Sequence, residues 1–355
     1  MPAHTALAGD IIAFTDARIE LARTFTRAAD GFVDDHALGR SHAADPGGSH
    51  PLPALPFSVS LEIVAEAAGL LGGGRVTEIR DARAARWLAV DRGRLDVVVA
   101  AERRDAGVRV AVTSRSEGRT AFSADAFTAP PADPVLEIAA DPGAAAPRLW
   151  DAARFYDGYA FHRGAFRGIE RVTSVGRDTI EASLRIAEMP GVPLDRLVMD
   201  PAMLDCAGQL VAFWMLEQER RKTAFGIFPF LARRVVVHAP PAPPGSIVEC
   251  RGRISRQSLV TNADVVFAFE GRPLVSLHGF LQHVVEFPDW FARRVFSGDP
   301  AAMPAALPPE NRALFATMQG IWGRALAHLT LAPEQLDAWY AAPEAARIDR
   351  LFERI

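Results

Sequence analysis

The sequence predicts an α+β fold in which a helix followed by antiparallel strands occurs twice along the chain. Three observations carry this. A length of 355 residues exceeds the roughly 100 to 200 residues that one core organises. In the first half, a segment of helical period precedes several runs of strand-like composition. After a bridge rich in Pro and Ala, the same outline returns in the second half. Hydrophobic residues make up 49% and charged residues 23%, a balance that supports a packed core and excludes a wholly disordered chain.

Residues 1–30 read as a helical lead-in, with Ile11, Ile12, Phe14, Ile19, Leu21, Phe25 and Ala28 interleaved with charge. A first unit follows over 31–128. It opens on Asp34-Asp35-His36-Ala37-Leu38-Gly39 and an irregular loop through Pro56. From Ser58, Val59, Ile63, Ala67 and Leu70 share one helical stripe, which Gly72-Gly73-Gly74 ends. Strand-like runs come next at 86–90, 95–101, 108–114 and 120–128, separated by turn residues such as Asp91-Arg92-Gly93. Residues 129–147 form the linker.

The second unit, 148–295, has an aromatic segment and strands at 168–175 and 179–186, then a strong helix over 202–221. Further strands are expected at 235–238, 246–255, 264–269 and 274–285, with Glu270-Gly271-Arg272 turning between the last two. Residues 296–355 read as a tail of polar helices joined at Ala332-Pro333 and Ala342-Pro343.

A net charge of −4 argues against binding nucleic acid, which needs a basic surface to displace counterions from phosphates. Apolar stretches such as 97–101 and 209–216 fall well short of the ~20 residues that cross a bilayer. Met1 to Arg18 lacks a basic segment followed by an apolar one, so a cytoplasmic location is expected. Cys206 and Cys250 read as buried thiols and cannot form a metal framework. His278 and His283 have odd strand spacing and point to opposite faces, so they do not make a zinc pair. No metal is expected. Gly-x-Ser-x-Gly is absent from the sequence, and Gly72-Gly73-Gly74 lacks the lysine of a phosphate loop.

Two residues break their surroundings. His36 follows two acids at the mouth of an irregular loop, where a solvated or structural histidine is the ordinary finding. Asp205 sits in Asp200-Pro201-Ala202-Met203-Leu204-Asp205-Cys206-Ala207-Gly208-Gln209, a helix apolar nearly all round, so its carboxyl is expected inside. A lone buried carboxylate costs several kcal/mol unless paired or protonated, and Gln209 lies one turn later to hydrogen-bond it. The competing reading places Asp205 against the free amides of the helix N-terminus. Burial raises a carboxyl pKa, which would let Asp205 hold a proton near neutrality while a neutral His36 accepts one. An acid and a base so placed suit elimination of water from a 3-hydroxyacyl thioester. Helix N-termini after Pro56 and Pro201 offer amides that could polarise the carbonyl.

His36-Ala37-Leu38-Gly39, Leu55-Pro56 and Leu61-Glu62-Ile63-Val64-Ala65-Glu66-Ala67-Ala68 resemble the first half of a polyketide synthase dehydratase domain, and Arg86-Trp87-Leu88 fits the strand that follows. Tyr156, Tyr159-Ala160-Phe161-His162 and Phe166-Arg167-Gly168-Ile169, then Asp200 to Asp205 with Gln209, resemble its second half. The resemblance spans about 30–290 and is closest to dehydratases of iterative synthases of the enediyne, glycolipid and polyunsaturated fatty acid types. It implies a double hotdog, two curved antiparallel sheets each wrapped round a central helix, with the acyl chain in a tunnel between the halves.

The resemblance further implies that His36 is the base, Asp205 the acid and Gln209 its orienting partner. Gly39, Pro56, Tyr156, His162 and Phe166 would contact substrate. The implied enzyme is a hydro-lyase without its own cofactor, its substrate carried on the phosphopantetheine of acyl carrier protein. Expected partners are that carrier and other synthase domains, with a homodimer compatible and neither nucleic acid nor membrane involved.

The sequence departs from the family in having Arg40 after Gly39, Phe57 after Pro56, Arg163-Gly164 where Gly-Pro is usual, and Arg167 in place of Gln. Double-bond isomerisation, product-template-like cyclisation and a non-catalytic chain-binding scaffold are the rival functions on the same fold.

Overall fold

The computed structural model describes residues 5–38, 52–90, 93–130, 135–218 and 225–286, with isolated positions between 335 and 346. Its first elements are strands. β1 (Asp10–Phe14) and β2 (Arg18–Thr26) form an antiparallel hairpin, which corrects the helical lead-in expected for 1–30. Ile19, Leu21 and Phe25 are buried, with more exposed residues between them. That is a period of two, which the scatter of apolar residues over 11–28 had masked.

A one-turn helix, α1 (Phe32–Asp35), leads into the paired short strands β3 (Ala37–Leu38) and β4 (Leu52–Pro53). The central helix α2 (Phe57–Gly72) ends as expected, at Gly73 with φ +76°, whose N–H donates to the Gly69 carbonyl. Only a residue without Cβ takes this left-handed conformation at no steric cost.

β5 (Glu78–Ala84), β6 (Arg94–Arg103), β7 (Val108–Ser114) and β8 (Arg119–Phe127) follow. The strand expected at 86–90 is therefore displaced to 78–84. Glu78, Arg80, Asp81 and Arg83 disguise β5 as surface, and its pairing with β8 shifts register between Arg80 and Arg83, where Asp81 has φ +49°. Residues 86–90 contribute instead a single bridge, Ala89 with Ala54.

The second half repeats the series. After α3 (Ala152–Gly158) come β9 (Ile169–Val175), β10 (Thr179–Arg185), the second central helix α4 (Pro201–Gln218), β11 (Phe225–Val237), β12 (Ile247–Gln257), β13 (Val260–Phe269) and β14 (Arg272–Glu286). β11 is much longer than the expected 235–238. Pro229 cannot donate to a ladder and sits at a register shift against β14, which hides the strand's first half.

The sheet order is β1-β2-β6-β7-β8-β5-β11-β14-β13-β12-β10-β9. Read outward from the β5–β11 seam, both halves have one topology, with the long helix after the second strand of each. The two expected sheets are thus hydrogen-bonded into one at the seam, where Ile79 pairs with Val235 and Ala82 with Ala232. Buried Glu78 ties the seam together by accepting from Arg80 Nε at 2.8 Å and Arg234 Nε at 2.5 Å.

α2 packs on β6, β7 and β8, α4 on β10, β11 and β13, and the helices touch each other. Among the described residues no helix is long and apolar enough to cross a membrane. The helical tail expected over 296–355 falls outside the described residues apart from isolated positions, and Gly39 lies outside them too.

Candidate active site

His36 caps the C-terminus of α1. Its backbone is pinned on two sides: its carbonyl accepts from Ala54 N at 3.3 Å, and it forms an antiparallel bridge with His162 of the other half. His36 Nδ1 lies 3.0 Å from the Ala54 carbonyl. A carbonyl only accepts, so Nδ1 carries the proton and Nε2 presents its lone pair. Phe161 and Phe166 rings lie 5.0 and 5.5 Å from the imidazole. Burial in this apolar collar, opposed by the Asp205 charge, lowers the His36 pKa from 6.5 to about 4.

Asp205 enters from α4. Its Oδ1 stands 3.8 Å from His36 Nε2, and its Oδ2 is 3.0 Å from His162 Nε2 and accepts from Gln209 Nε2 at 2.8 Å. Gln209 also donates to the Phe166 carbonyl at 2.9 Å, while its Oε1 accepts from the Tyr156 hydroxyl at 2.9 Å. Tyr156 in turn accepts from Ile169 N at 2.9 Å. The structure thus brings His36, Asp205, Gln209, His162 and Phe166 together. It places Tyr156 behind Gln209, as a brace.

The charge state of Asp205 differs from the expectation. Burial alone pushes the carboxyl up, but attraction and hydrogen bonding from His162, with His36 and Gln209, outweigh it and hold Asp205 below the usual carboxylate value. The anticipated amides after Pro201 are also occupied, because Asp200 Oδ1 accepts from Ala202 N at 2.9 Å and Met203 N at 3.2 Å. The end of α2 after Pro56 has no side-chain cap among the described residues.

Three functional details escaped the sequence reading. His162, read as lining or packing, is a direct partner of Asp205. Asp35, read only as a neighbouring charge, holds the departing Arg163-Gly164 turn through its carbonyl, which accepts from Arg163 N at 2.8 Å, and its carboxylate, which accepts from Ala165 N at 3.2 Å. Gly164 has φ +48°, and a Cβ there would collide with the Asp35 carboxylate, so the glycine suits the latch. Third, Glu62 of α2 is fully buried and accepts from Val198 N at 2.6 Å and Met199 N at 2.9 Å, just ahead of α4.

Ligand atoms of His36, His162 and Asp205 lie within 4.8 Å of one another, so two imidazoles and a carboxylate could reach one divalent cation. A metal on His162 Nε2 would move that ring's proton to Nδ1, which is buried and has no hydrogen-bond partner among the described residues. Metal-bound histidines ordinarily donate that proton to an acceptor, so the donor set fits an ion poorly.

With this geometry in place the relatives are informative. Residues 135–286 match the family described as polyketide synthase dehydratase N-terminal domain. Over these residues the chain is similar to that family. No curated protein matches it in sequence.

Among solved structures it is similar to the dehydratase domain from the CurJ module of curacin polyketide synthase, at 16% identity and TM-score 0.64, over 79% of this chain and 98% of that one. It is also similar to the dehydratase domain of PpsC from Mycobacterium tuberculosis in complex with C12:1-CoA, at 18% identity and TM-score 0.62, over 79% and 100%. The dehydratase domain of a mycocerosic acid synthase-like polyketide synthase gives 17%, 0.60, 80% and 98%. The fold is the double hotdog of these dehydratases.

Proposed function

We propose that this domain removes water from a 3-hydroxyacyl thioester to give a 2-enoyl thioester. The carrying observation is that His36 and Asp205, 169 positions apart and from different halves, face each other at 3.8 Å in a buried apolar collar. Neutral His36 takes the proton from C2 on Nε2, the C2 electron pair forms the double bond, and the C3–O bond breaks. Asp205 supplies a proton to the departing hydroxyl, which leaves as water.

In this step Oδ2 accepts from His162 and Gln209, so Oδ1 is the oxygen left to carry the acid proton. The cycle ends with a protonated His36 opposite a carboxylate. Loss of the proton from His36, whose buried imidazole favours the neutral form, restores the resting pair. Since Asp205 is ionised before substrate arrives, its proton is taken up with substrate, whose apolar chain further desolvates the carboxyl and raises its pKa.

The thioester is assigned to the phosphopantetheine arm of acyl carrier protein, with other polyketide synthase domains as neighbours, in the cytoplasm and in an iterative synthase. A homodimer is compatible with this assignment. As described, the step draws on His36 and Asp205 for both proton transfers and on no further cofactor.

Asp205→Asn tests the reading by mass spectrometry of a carrier-bound 3-hydroxyacyl chain. Loss of one water by the wild type and a rate at least about 10²-fold lower in the variant are expected. Wild-type turnover by the variant would remove Asp205 as the acid. A product that keeps the mass of the water would point to isomerisation or closure.

A further inference from the structure

Gln282 on β14 is fully buried, yet neither Nε2 nor Oε1 of its amide has a hydrogen-bond partner among the described residues. A buried primary amide left unpaired loses its hydration with nothing in return, which is why such groups are rare in folded proteins. Its surroundings say what it is for. β14 neighbours β11, the second half's strand at the seam.

Two residues before Gln282, and therefore on the same face, Phe280 packs its ring 5.7 Å from Phe57 at the start of α2. Gln282 itself lies against α4, its Oε1 beside Gly208, where a Cβ would come within 3.4 Å. This stretch of β14 thus touches the central helix of each half. Gly208 is three residues beyond Asp205, a rise of about 4.5 Å along α4.

We propose that Gln282 is a specificity residue, whose amide hydrogen-bonds an oxygen carried by the acyl chain beyond C3, as a hydroxyl or carbonyl of a partly reduced polyketide. The proposal rests on the dehydratase reading. An amide can donate to a carbonyl, or donate to and accept from a hydroxyl, whereas a fully reduced alkyl chain leaves it unpaired. The site therefore favours oxygenated chains over alkyl chains of equal length. Discrimination of this kind is strong because the unpaired alternative is penalised in the low-dielectric interior.

The test compares wild type and Gln282→Met on N-acetylcysteamine thioesters of a 3-hydroxy chain with and without a second hydroxyl on the fifth or seventh carbon. The wild type is expected to prefer a dihydroxy chain in kcat/KM. In the variant that preference should fall about tenfold, the equivalent of roughly one hydrogen bond, while thermal stability holds or rises.

Equal preference in wild type and variant, with dehydration intact, would overturn the specificity role and leave the dehydratase reading standing. A less stable variant with unchanged preference would also overturn it, showing that the amide serves the fold. No water loss from any substrate by the wild type would instead overturn the dehydratase reading and this proposal with it.

Discussion

Replacing His36 by Gln should change how stability depends on pH, and the size follows from the site. In the folded chain burial lowers the imidazole pKa from 6.5 to about 4. As pH falls between those values the unfolded chain binds a proton that the folded chain refuses, so acidification favours unfolding. The group's contribution is complete above about pH 6.5 and has gone below about pH 4. At about 1.4 kcal/mol per pH unit, the drop from 6.5 to about 4 amounts to about 3 kcal/mol.

Asp200 works in the opposite sense, since burial raises it from 3.8 to about 6, against the pull of the Met203 and Ala202 amides. Its stabilising effect is present at low pH and is lost as pH rises through about 6. The two nearly offset each other in the wild type. The informative quantity is therefore the stability difference between His36→Gln and wild type, measured by urea unfolding at several pH values, in which Asp200 cancels. That difference should move by about 3 kcal/mol in the variant's favour between about pH 7 and pH 4. A difference independent of pH would falsify the buried neutral imidazole, and with it the choice of His36 as a base poised without a proton.

Further outcomes follow from the neighbours of the pair. Tyr156→Phe deprives both Gln209 Oε1 and Ile169 N of a partner; about 2 kcal/mol of lost stability or more and a fall in kcat exceeding any rise in KM are expected, from calorimetry and steady-state kinetics. Gly164→Ala should loosen the Asp35 latch and reduce turnover, whereas Gly143→Ala, on the exposed bridge segment, should not; equal activity in both would show the latch to be dispensable. Glu62→Gln replaces one of two accepting oxygens opposite Val198 N and Met199 N, so a lower melting temperature and a lower kcat are expected together, because the chain leading to Asp205 loses its anchor. Because Asp205 acquires its proton with substrate, the alkaline limb of kcat should lie at higher pH than that of kcat/KM, which reports the free enzyme; coincident limbs would show that substrate leaves the carboxyl unchanged.

Elements whose burial alternates cleanly were legible from sequence. β7, with Val108, Val110 and Val112 inward, and β12, with Val248, Cys250, Gly252 and Ile254 inward, lie close to where periodicity puts them. α2 was equally plain from its apolar stripe, and α4 because a helix enclosed by a sheet is apolar nearly all round. The failures have specific causes. β5 carries charge because it forms the seam, where Glu78 is satisfied by arginines of both halves. In β2 the alternation is broken by Arg23, which stands between Leu21 and Phe25 on the parity of the buried residues. The repeat itself held the missing information: β9 and β10 precede α4 as a strand pair, so the segment before α2 had to supply an equivalent pair if the halves share one topology.

At the site, the identities of His36, Asp205 and Gln209 were legible because a polar group in an apolar stretch needs a reason to be there. Their electrostatics were not, because a pKa depends on who arrives from elsewhere in the chain. His162 comes from a segment 43 residues upstream of Asp205, and its imidazole turns an expected neutral acid into a resting carboxylate.

Glu62 and Glu66 teach the same lesson from inside α2. Glu62 holds Val198 and Met199 of the other half, while Glu66 accepts from Leu7 N at 2.9 Å and Ala8 N at 2.6 Å. Periodicity counts these carboxylates as surface because it cannot see amides brought to them by the fold. In a helix enclosed on every side burial pushes both carboxyls up, Glu62 well above its ordinary value, and the amides that donate to them pull partly the other way. The two acids of α2 therefore mark where the N-terminal segment and the approach to Asp205 are fastened to one rigid helix. Through that helix and the seam, the base of one half and the acid of the other share a common frame.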